Sequence, residues 1–488
     1  MLLSGKEKLE RMRDGRAVYI GSERVRDVTK HRAFARAAQT VADIYDHKKQ
    51  PDVQDILSFE EHGERFSIYF LQAKTRDDLE RRTRGHKHIA DLTLGMFGRS
   101  PDHVAAMITG LSMNAGVLGN ESYQNNLTRY YHEARRNDYY CVFACVPPTG
   151  ARSGEIVDGR GVVYPALRVV DEHDDGVVIS GIKMLATGAI FADEIWVGNH
   201  IPLDDKFKAE AITCAIPVNA HGAKLWARQT LEDKAQYEAD YPLSYSLDET
   251  DAVLVCNNVK VPWERVFLHN NTAMSRDMYI STPANCYANH QSNVRFWSKM
   301  ELIVGLASRI AATNGIDKIP GVRETLGRLA ALEATIGGLV NGQLQAFEQW
   351  PDGYACFNRR HMYATLNWCQ EYHNEIIDTV RTLIGGSVLQ MPASASVFED
   401  AELRSTFEEW FGTPTSAAAE RFKLFRLAWD LIGSEFAGRH MLYEKFYAGN
   451  SMVVRNQSDR EAPWNKFHDK VRIFLDDVSL PEKTGLAM

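Results

Sequence analysis

Tyr139-Tyr140-Cys141-Val142-Phe143-Ala144-Cys145-Val146 is the run at which the pattern of this chain changes. Upstream, apolar residues recur with a helical period over residues 32–45, 76–96 and 102–118, interrupted by Pro51 and Pro101. From residue 139 to about 271, short apolar runs such as Gly176-Val177-Val178-Ile179-Ser180 and Ala252-Val253-Leu254-Val255 alternate with Gly, Asp and Pro turns. That spacing predicts an antiparallel β-domain. After Pro283 long helical segments return, over residues 293–314, 321–350, 358–383 and 417–447. Four helices of this length joined by short connections predict an up-and-down bundle. The expected fold is therefore α+β, with an N-terminal helical domain (1–138), a central antiparallel β-domain (139–272), a C-terminal four-helix bundle (273–456) and a charged tail (457–488). No internal repeat or low-complexity tract interrupts this order.

The 488 residues suffice for two or three domains around a large core, and 44% hydrophobic with 25% charged residues is ordinary globular composition. A formal charge of -8 argues against a nucleic-acid surface, which needs a basic footprint. The start of the chain carries no signal-peptide pattern and no apolar stretch is long enough to span a bilayer, so a cytoplasmic protein with no membrane partner is expected. Seven scattered cysteines include no Cys-x-x-Cys pair, so no metal site is expected; Cys141 and Cys145 read as small buried hydrophobes.

Two separated features point to chemistry. In Gly98-Arg99-Ser100-Pro101-Asp102, Ser100 reads as a helix N-cap, Pro101 as the first helical residue and Asp102 as a first-turn acid. Arg99 then sits at the positive end of a helix dipole, where a permanent cation and free N–H groups favour an anion such as phenolate. The second feature is His290 in Ala288-Asn289-His290-Gln291, a group able to take a phenolic proton. Together they read as two halves of a phenol-binding site.

These motifs resemble the 4-hydroxyphenylacetate 3-hydroxylase family of flavin-dependent monooxygenases, over nearly the whole chain. The resemblance also rests on Asn137-Asp138, Ala186-Thr187-Gly188, Asn289-His290-Gln291, Leu427-Ala428-Trp429-Asp430, Gly438-Arg439 and Leu442-Tyr443-Glu444. It implies an acyl-CoA dehydrogenase-like fold and a homotetramer. It also implies the oxygenase component of a two-component system, fed with reduced FAD (or FMN) by a separate NAD(P)H:flavin reductase. With O2 such an enzyme forms a C4a-hydroperoxide that hydroxylates a phenol, with or without loss of a halide or nitro group. No nicotinamide-binding glycine fingerprint is present, which agrees.

The resemblance further implies that Arg99 orients the phenolic oxygen and that His290 removes its proton. For the flavin it implies Thr149, Arg152, Thr187, Gly385, Gly386, Ser434 and Arg439. The hydroxyphenylacetate branch has Tyr where His103 stands and His where Phe143 stands; the chlorophenol and nitrophenol monooxygenases are more similar, with Arg-Ser-Pro-Asp-His. His103 is accordingly a candidate substrate contact. Of the alternatives, a 4-hydroxybutyryl-CoA dehydratase needs a Cys-x3-Cys and a His-x6-Cys pair of cluster ligands at positions held here by Arg99, His103, His290 and Trp297; one imidazole with no thiolate does not build that cluster, and this reading is disfavoured. An acyl-CoA dehydrogenase needs a carboxylate base, for which Glu409 and Glu435 are available without a supporting signature. A non-catalytic helical protein leaves Arg99 and His290 unexplained.

Overall fold

The chain passes from helix to sheet at Asp138, the left-handed C-cap (φ 50°) of helix Glu121–Asn137. The buried Asp138 carboxylate accepts from Lys48 Nζ at 2.7 Å, Ser67 Oγ at 2.6 Å and Tyr69 OH at 2.9 Å, which ties that turn to the N-terminal helices. Burial of a charge on this scale requires such saturation. The computed structural model describes residues 2–148, 156–158, 161–163, 165–200, 202–350 and 352–480.

Strand Cys141–Ala144 follows and lies parallel to Glu194–Val197, with Cys141 opposite Glu194 and Ala144 opposite Val197. Ile212–Pro217 and Val266–His269 complete this four-stranded sheet in antiparallel fashion. A six-stranded sheet packs with it, built around Gly176–Lys183 paired to Ala252–Pro262. Its far edge is Val18–Ile20 with Glu23–Val25, contributed by the N-terminal region. That region is thus not purely helical, and parallel pairings join the antiparallel ones, Val18–Ile20 with Ala223–Ala227 and Cys141–Ala144 with Glu194–Val197. Three-residue strands are too short to register a period of two, which is why the sequence concealed them.

Helix Pro101–Ser112 is buried from Pro101 through Leu111. It crosses the long helix Ala284–Thr313 at Gly110, where an added Cβ would lie 2.5 Å from the Ala284 backbone. Ser100 occupies the N-cap position and Pro101 follows, as expected, but the Ser100 hydroxyl does not cap; it donates to Asp102 Oδ1 at 2.5 Å.

Pro320–Gln345 and Arg359–Ile384 continue the bundle. The single helix expected over 417–447 is two, Ala418–Ile432 and Glu435–Phe446. Gly433 ends the first, and the Ser434 hydroxyl caps the second by accepting from the Ala437 N–H at 3.2 Å. One apolar core runs from Phe34 and Phe191 through Ile195 to Val294, Phe296 and Phe436, so sheet and bundle share an interior with the site at their junction. Among the described residues no helix is long and apolar enough to cross a membrane.

Candidate active site

Arg99 is fixed by its backbone. Its N–H donates to Glu249 Oε2 at 2.8 Å and its carbonyl accepts from Tyr140 OH at 2.7 Å. The guanidinium, half-buried, donates to His103 Nε2 and to the Tyr447 carbonyl at 3.0 Å, and lies 5.8 Å and 5.9 Å from the ring centres of Tyr443 and Tyr447. Among the described residues no carboxylate meets this guanidinium. Tyr443 and Tyr447 stack at 5.5 Å, and both hydroxyls are buried without a hydrogen-bond partner among the described residues.

His103, one turn along from Arg99, is brought together with it. Because an arginine can only donate, His103 Nε2 is an acceptor and its proton sits on Nδ1, which is buried and unpartnered. Burial, then the neighbouring Arg99 charge, push its pKa well below the usual histidine value and keep it neutral.

His290 has other partners than Arg99. It is fully buried and stacks on Phe357 with centroids 3.5 Å apart; its Nε2 meets Thr83 Oγ1 and its Nδ1 meets Gln343 Oε1, each at 2.8 Å. Burial depresses its pKa far below the usual value. Its link to the Arg99 turn runs through His86, whose ring lies 6.4 Å away and bonds Asp102 at 2.7 Å. The adjacent Gln291 also bonds Ser100 Oγ at 3.1 Å. The packing therefore joins Arg99 to His103 rather than to His290.

A further histidine in this region went unnoticed in the sequence. His200 lies just past strand Glu194–Val197, its ring 4.6 Å from Phe143 and 4.9 Å from Tyr279. Desolvation, then Arg99 and Lys183, lower its pKa to about 4. Lys183 joins the strand ends, donating to the Gly198 carbonyl at 2.9 Å, Asn199 Oδ1 at 2.8 Å and the Cys145 carbonyl at 3.3 Å. Nothing in the local sequence marks His200; only the parallel pairing brings both C-terminal strand ends to one place.

The residues expected to hold flavin divide into groups. Thr149 and Arg152 lie outside the described residues. The Thr187 hydroxyl donates to Asp251 Oδ1 at 2.6 Å. Arg439 grips Asp251 at 2.8 Å and 3.0 Å and Glu249 at 2.7 Å. Burial alone would raise the Asp251 carboxyl; Arg439 and Arg228 override it and hold it well below the carboxylate range. Ser434 bonds Asp430 and caps its helix. Gly385 closes helix Arg359–Ile384 with φ +60°, and a side chain at Gly385 or Gly386 would meet open space.

Tyr443 and Glu444 explain the Leu-Tyr-Glu motif. Glu444, fully buried, neutralises Arg295 at 2.6 Å and Lys299 at 2.5 Å directly behind the Tyr443–Tyr447 stack. The spacing Arg439, Tyr443, Tyr447 places all three on one helix face, a signal the sequence did offer. The exposed apolar side chains Val146 and Leu185, together with the orphan hydroxyls of Tyr443 and Tyr447 and the orphan Nδ1 of His103, suit a flat heteroaromatic ring with a polar edge.

The sequence profiles of the 4-hydroxyphenylacetate 3-hydroxylase N-terminal and C-terminal regions match residues 4–268 and 275–476. This chain belongs to that family. The pyoverdin chromophore biosynthetic protein PvcC of Pseudomonas aeruginosa is 32% identical, over 94% of this chain and 91% of that protein. The oxygenase component of a 4-nitrophenol 2-monooxygenase of Rhodococcus sp is 29% identical, over 93% of this chain and 88% of its own.

Among solved structures, the HpaB oxygenase component of 4-hydroxyphenylacetate 3-monooxygenase, complexed with FAD and 4-hydroxyphenylacetate, superposes with TM-score 0.91 and 27% identity, covering 97% of this chain and 98% of that one. A steroid ACAD (TM-score 0.50, 14% identity, 94% of this chain and 92% of that one) shares the fold alone. The fold is the acyl-CoA dehydrogenase-like one that the family resemblance implied. At the fourth of the positions where a dehydratase carries cluster ligands, Trp297 donates to Glu333 at 2.7 Å.

Proposed function

We propose that this chain hydroxylates a phenol bound as its anion by Arg99. It is the oxygenase component of a two-component flavin-dependent monooxygenase, using reduced FAD and O2. A separate NAD(P)H:flavin reductase supplies the reduced flavin, and reduced FMN offers the same ring. The observation that carries the substrate assignment is the Arg99 guanidinium, whose protein partners are a neutral imidazole, a carbonyl and two tyrosine rings.

Such a cation, desolvated and without a counter-carboxylate, stabilises a phenolate more than a phenol. The buried His103 Nδ1–H is a second donor to the same oxygen. Phe143, Tyr279, Tyr443 and Tyr447 keep water from the reacting ring. When bound, the reduced flavin with O2 supplies the oxygen atom that the electron-rich ring accepts, with or without departure of a halide or nitro group.

Thr187, Ser434 and Arg439 support the flavin site through Asp251 and Asp430, which fix the loops around it. Arg152 and Thr149 serve the phosphate end of the cofactor. Gly385 and Gly386 offer bare backbone to the flavin of a neighbouring subunit in a homotetramer. The helix Trp464–Asp476 buries none of its residues, and its Phe467, Val471, Phe474 and Leu475 are exposed, which suits burial in that assembly. The protein works in the cytoplasm, where reduced nicotinamide and the reductase are at hand.

The test supplies the purified chain with reduced FAD from a generic reductase and screens para-substituted phenols for hydroxylated product. Hydroxylation of at least one, dependent on the reductase, is expected. Failure with every phenol, or NADH-driven hydroxylation without a reductase, refutes the reading.

A further inference from the structure

One short turn reaches both arms of the site. Asp248-Glu249-Thr250-Asp251 links helix Ser244–Leu247 to strand Ala252–Pro262. Glu249 accepts from the Arg99 N–H at 2.8 Å and from the Arg439 guanidinium at 2.7 Å. Asp251 accepts from the Thr187 hydroxyl at 2.6 Å and from the same guanidinium at 2.8 Å and 3.0 Å. Arg439 thus joins two carboxylates, one on the Arg99 arm and one on the Thr187 arm.

Between those carboxylates stands Thr250, fully buried, with φ 41°. A β-branched residue in the left-handed region is strained, because its Cβ crowds the backbone where glycine would be free. Such strain persists only where the surroundings over-determine it, and it gathers at functional sites. Here the Thr250 N–H donates to Asp248 Oδ1 at 3.4 Å, its hydroxyl donates to the Asp248 carbonyl at 3.3 Å, and its carbonyl accepts from the Gly188 N–H at 3.0 Å. The facing loop is left-handed too, at Leu185 (φ 59°) and Gly188 (φ 76°), and its Ala186 N–H donates to the Ala252 carbonyl at 2.8 Å.

Gly188 leaves room for Tyr140: a Cβ there would lie 2.5 Å from the Tyr140 hydroxyl, which donates to the Arg99 carbonyl at 2.7 Å. The Arg99 backbone is therefore held on one side by Glu249 and on the other through Gly188, and both lead back to Thr250. A β-branched side chain has few rotamers, and the bonded hydroxyl stiffens the turn further. We infer that Thr250 is a positioning residue for oxygen transfer: its left-handed turn keeps Glu249 and Asp251 on Arg439, and so fixes the Arg99 arm, which takes the phenol, at one spacing from the Thr187 arm, which takes the flavin. It acts through the two carboxylates. Each ligand binds its own arm, whereas transfer needs the reacting atoms aligned, and a misplacement of about 1 Å costs on the order of 10²-fold.

This inference rests on the proposed phenol hydroxylation, and its test separates the two. Thr250→Gly removes the methyl and the hydroxyl at a φ that glycine adopts without strain. The measurements are the thermal midpoint, FAD affinity from flavin fluorescence, 4-nitrophenolate affinity from its absorbance without flavin, and hydroxylated product against hydrogen peroxide released with reductase-supplied FAD. The expected result is an unchanged or raised midpoint and both affinities within about threefold of the parent, with product formation lowered at least about tenfold and peroxide raised in its place. Thr250→Ser, which keeps the hydroxyl, retains product formation within about threefold. Parental product yield in Thr250→Gly overturns the inference. So does a loss accompanied by weaker binding of either ligand or by a lowered midpoint, which marks a merely structural residue. A parent protein inactive on every phenol overturns the proposed function, and this inference with it.

Discussion

Arg439 is the side chain whose removal most sharply separates a clamp from a cofactor ligand. It reaches from helix Glu435–Phe446 into the β-domain, giving Asp251 two bonds at 2.8 Å and 3.0 Å and Glu249 one at 2.7 Å. Glu249 in turn holds the Arg99 N–H, and Asp251 holds Thr187 and Arg228. Arg439→Met keeps the aliphatic stem and removes the charge.

The Glu249 side chain is 0% exposed, so its carboxylate is left buried with only backbone compensation. Breaking such a pair costs about 3–5 kcal/mol. The assay is urea unfolding followed by tryptophan fluorescence, compared as shifts in midpoint because several cooperative units share the chain. A cycle with Asp251→Asn adds the pairwise part, expected at about 1–3 kcal/mol.

The pH dependence has a definite sign. The folded Asp251 pKa lies below its unfolded value of about 3.9, so its contribution is complete above that pH and is lost as the pH falls below it. The gap between parent and Asp251→Asn should therefore narrow below about pH 4. Stability within about 1 kcal/mol of the parent, with FAD affinity alone lost, would refute the clamp and make Arg439 a flavin ligand.

Arg99→Ala should fold and bind FAD yet lose phenol hydroxylation by about 2–4 kcal/mol in transition-state stabilisation, read as kcat/KM; parental turnover would remove Arg99 from the site. His290→Ala orphans Gln343 Oε1 and opens space beside Phe357, so a stability loss of at least about 1–3 kcal/mol is expected in thermal unfolding. Its rates on phenol and nitrophenolate should fall in equal proportion, whereas selective loss on the phenol would restore His290 as the base. Gly110→Ala forces the helix carrying Arg99 off the Ala284 backbone, at about 1–3 kcal/mol with weakened phenol binding; an unperturbed KM would show that this crossing does not position Arg99.

Long-period information was legible in the chain itself. Helices of four or more turns and the change of pattern at residue 139 are written in apolar spacing, because each helix must bury a stripe regardless of what it packs on. The helix start after Arg99 was legible for the same local reason, since Pro101 fixes the backbone where it stands.

What the chain withheld depends on partners distant in sequence. Whether a serine caps or bonds a neighbouring acid, as Ser100 does, is settled by what surrounds Asp102, namely His86 and Gln291. Arg439 and Thr187 meet on Asp251 because the bundle docks on the sheet, a contact no local pattern encodes. His290 and His103 differ on the same ground, the first bonding Thr83 and Gln343 and the second Arg99: a histidine's chemistry follows from its burial and its neighbours, and both are properties of the packed interior. The order of elements is local physics and belonged to the sequence. The company each polar side chain keeps was decided only when those elements closed on one another.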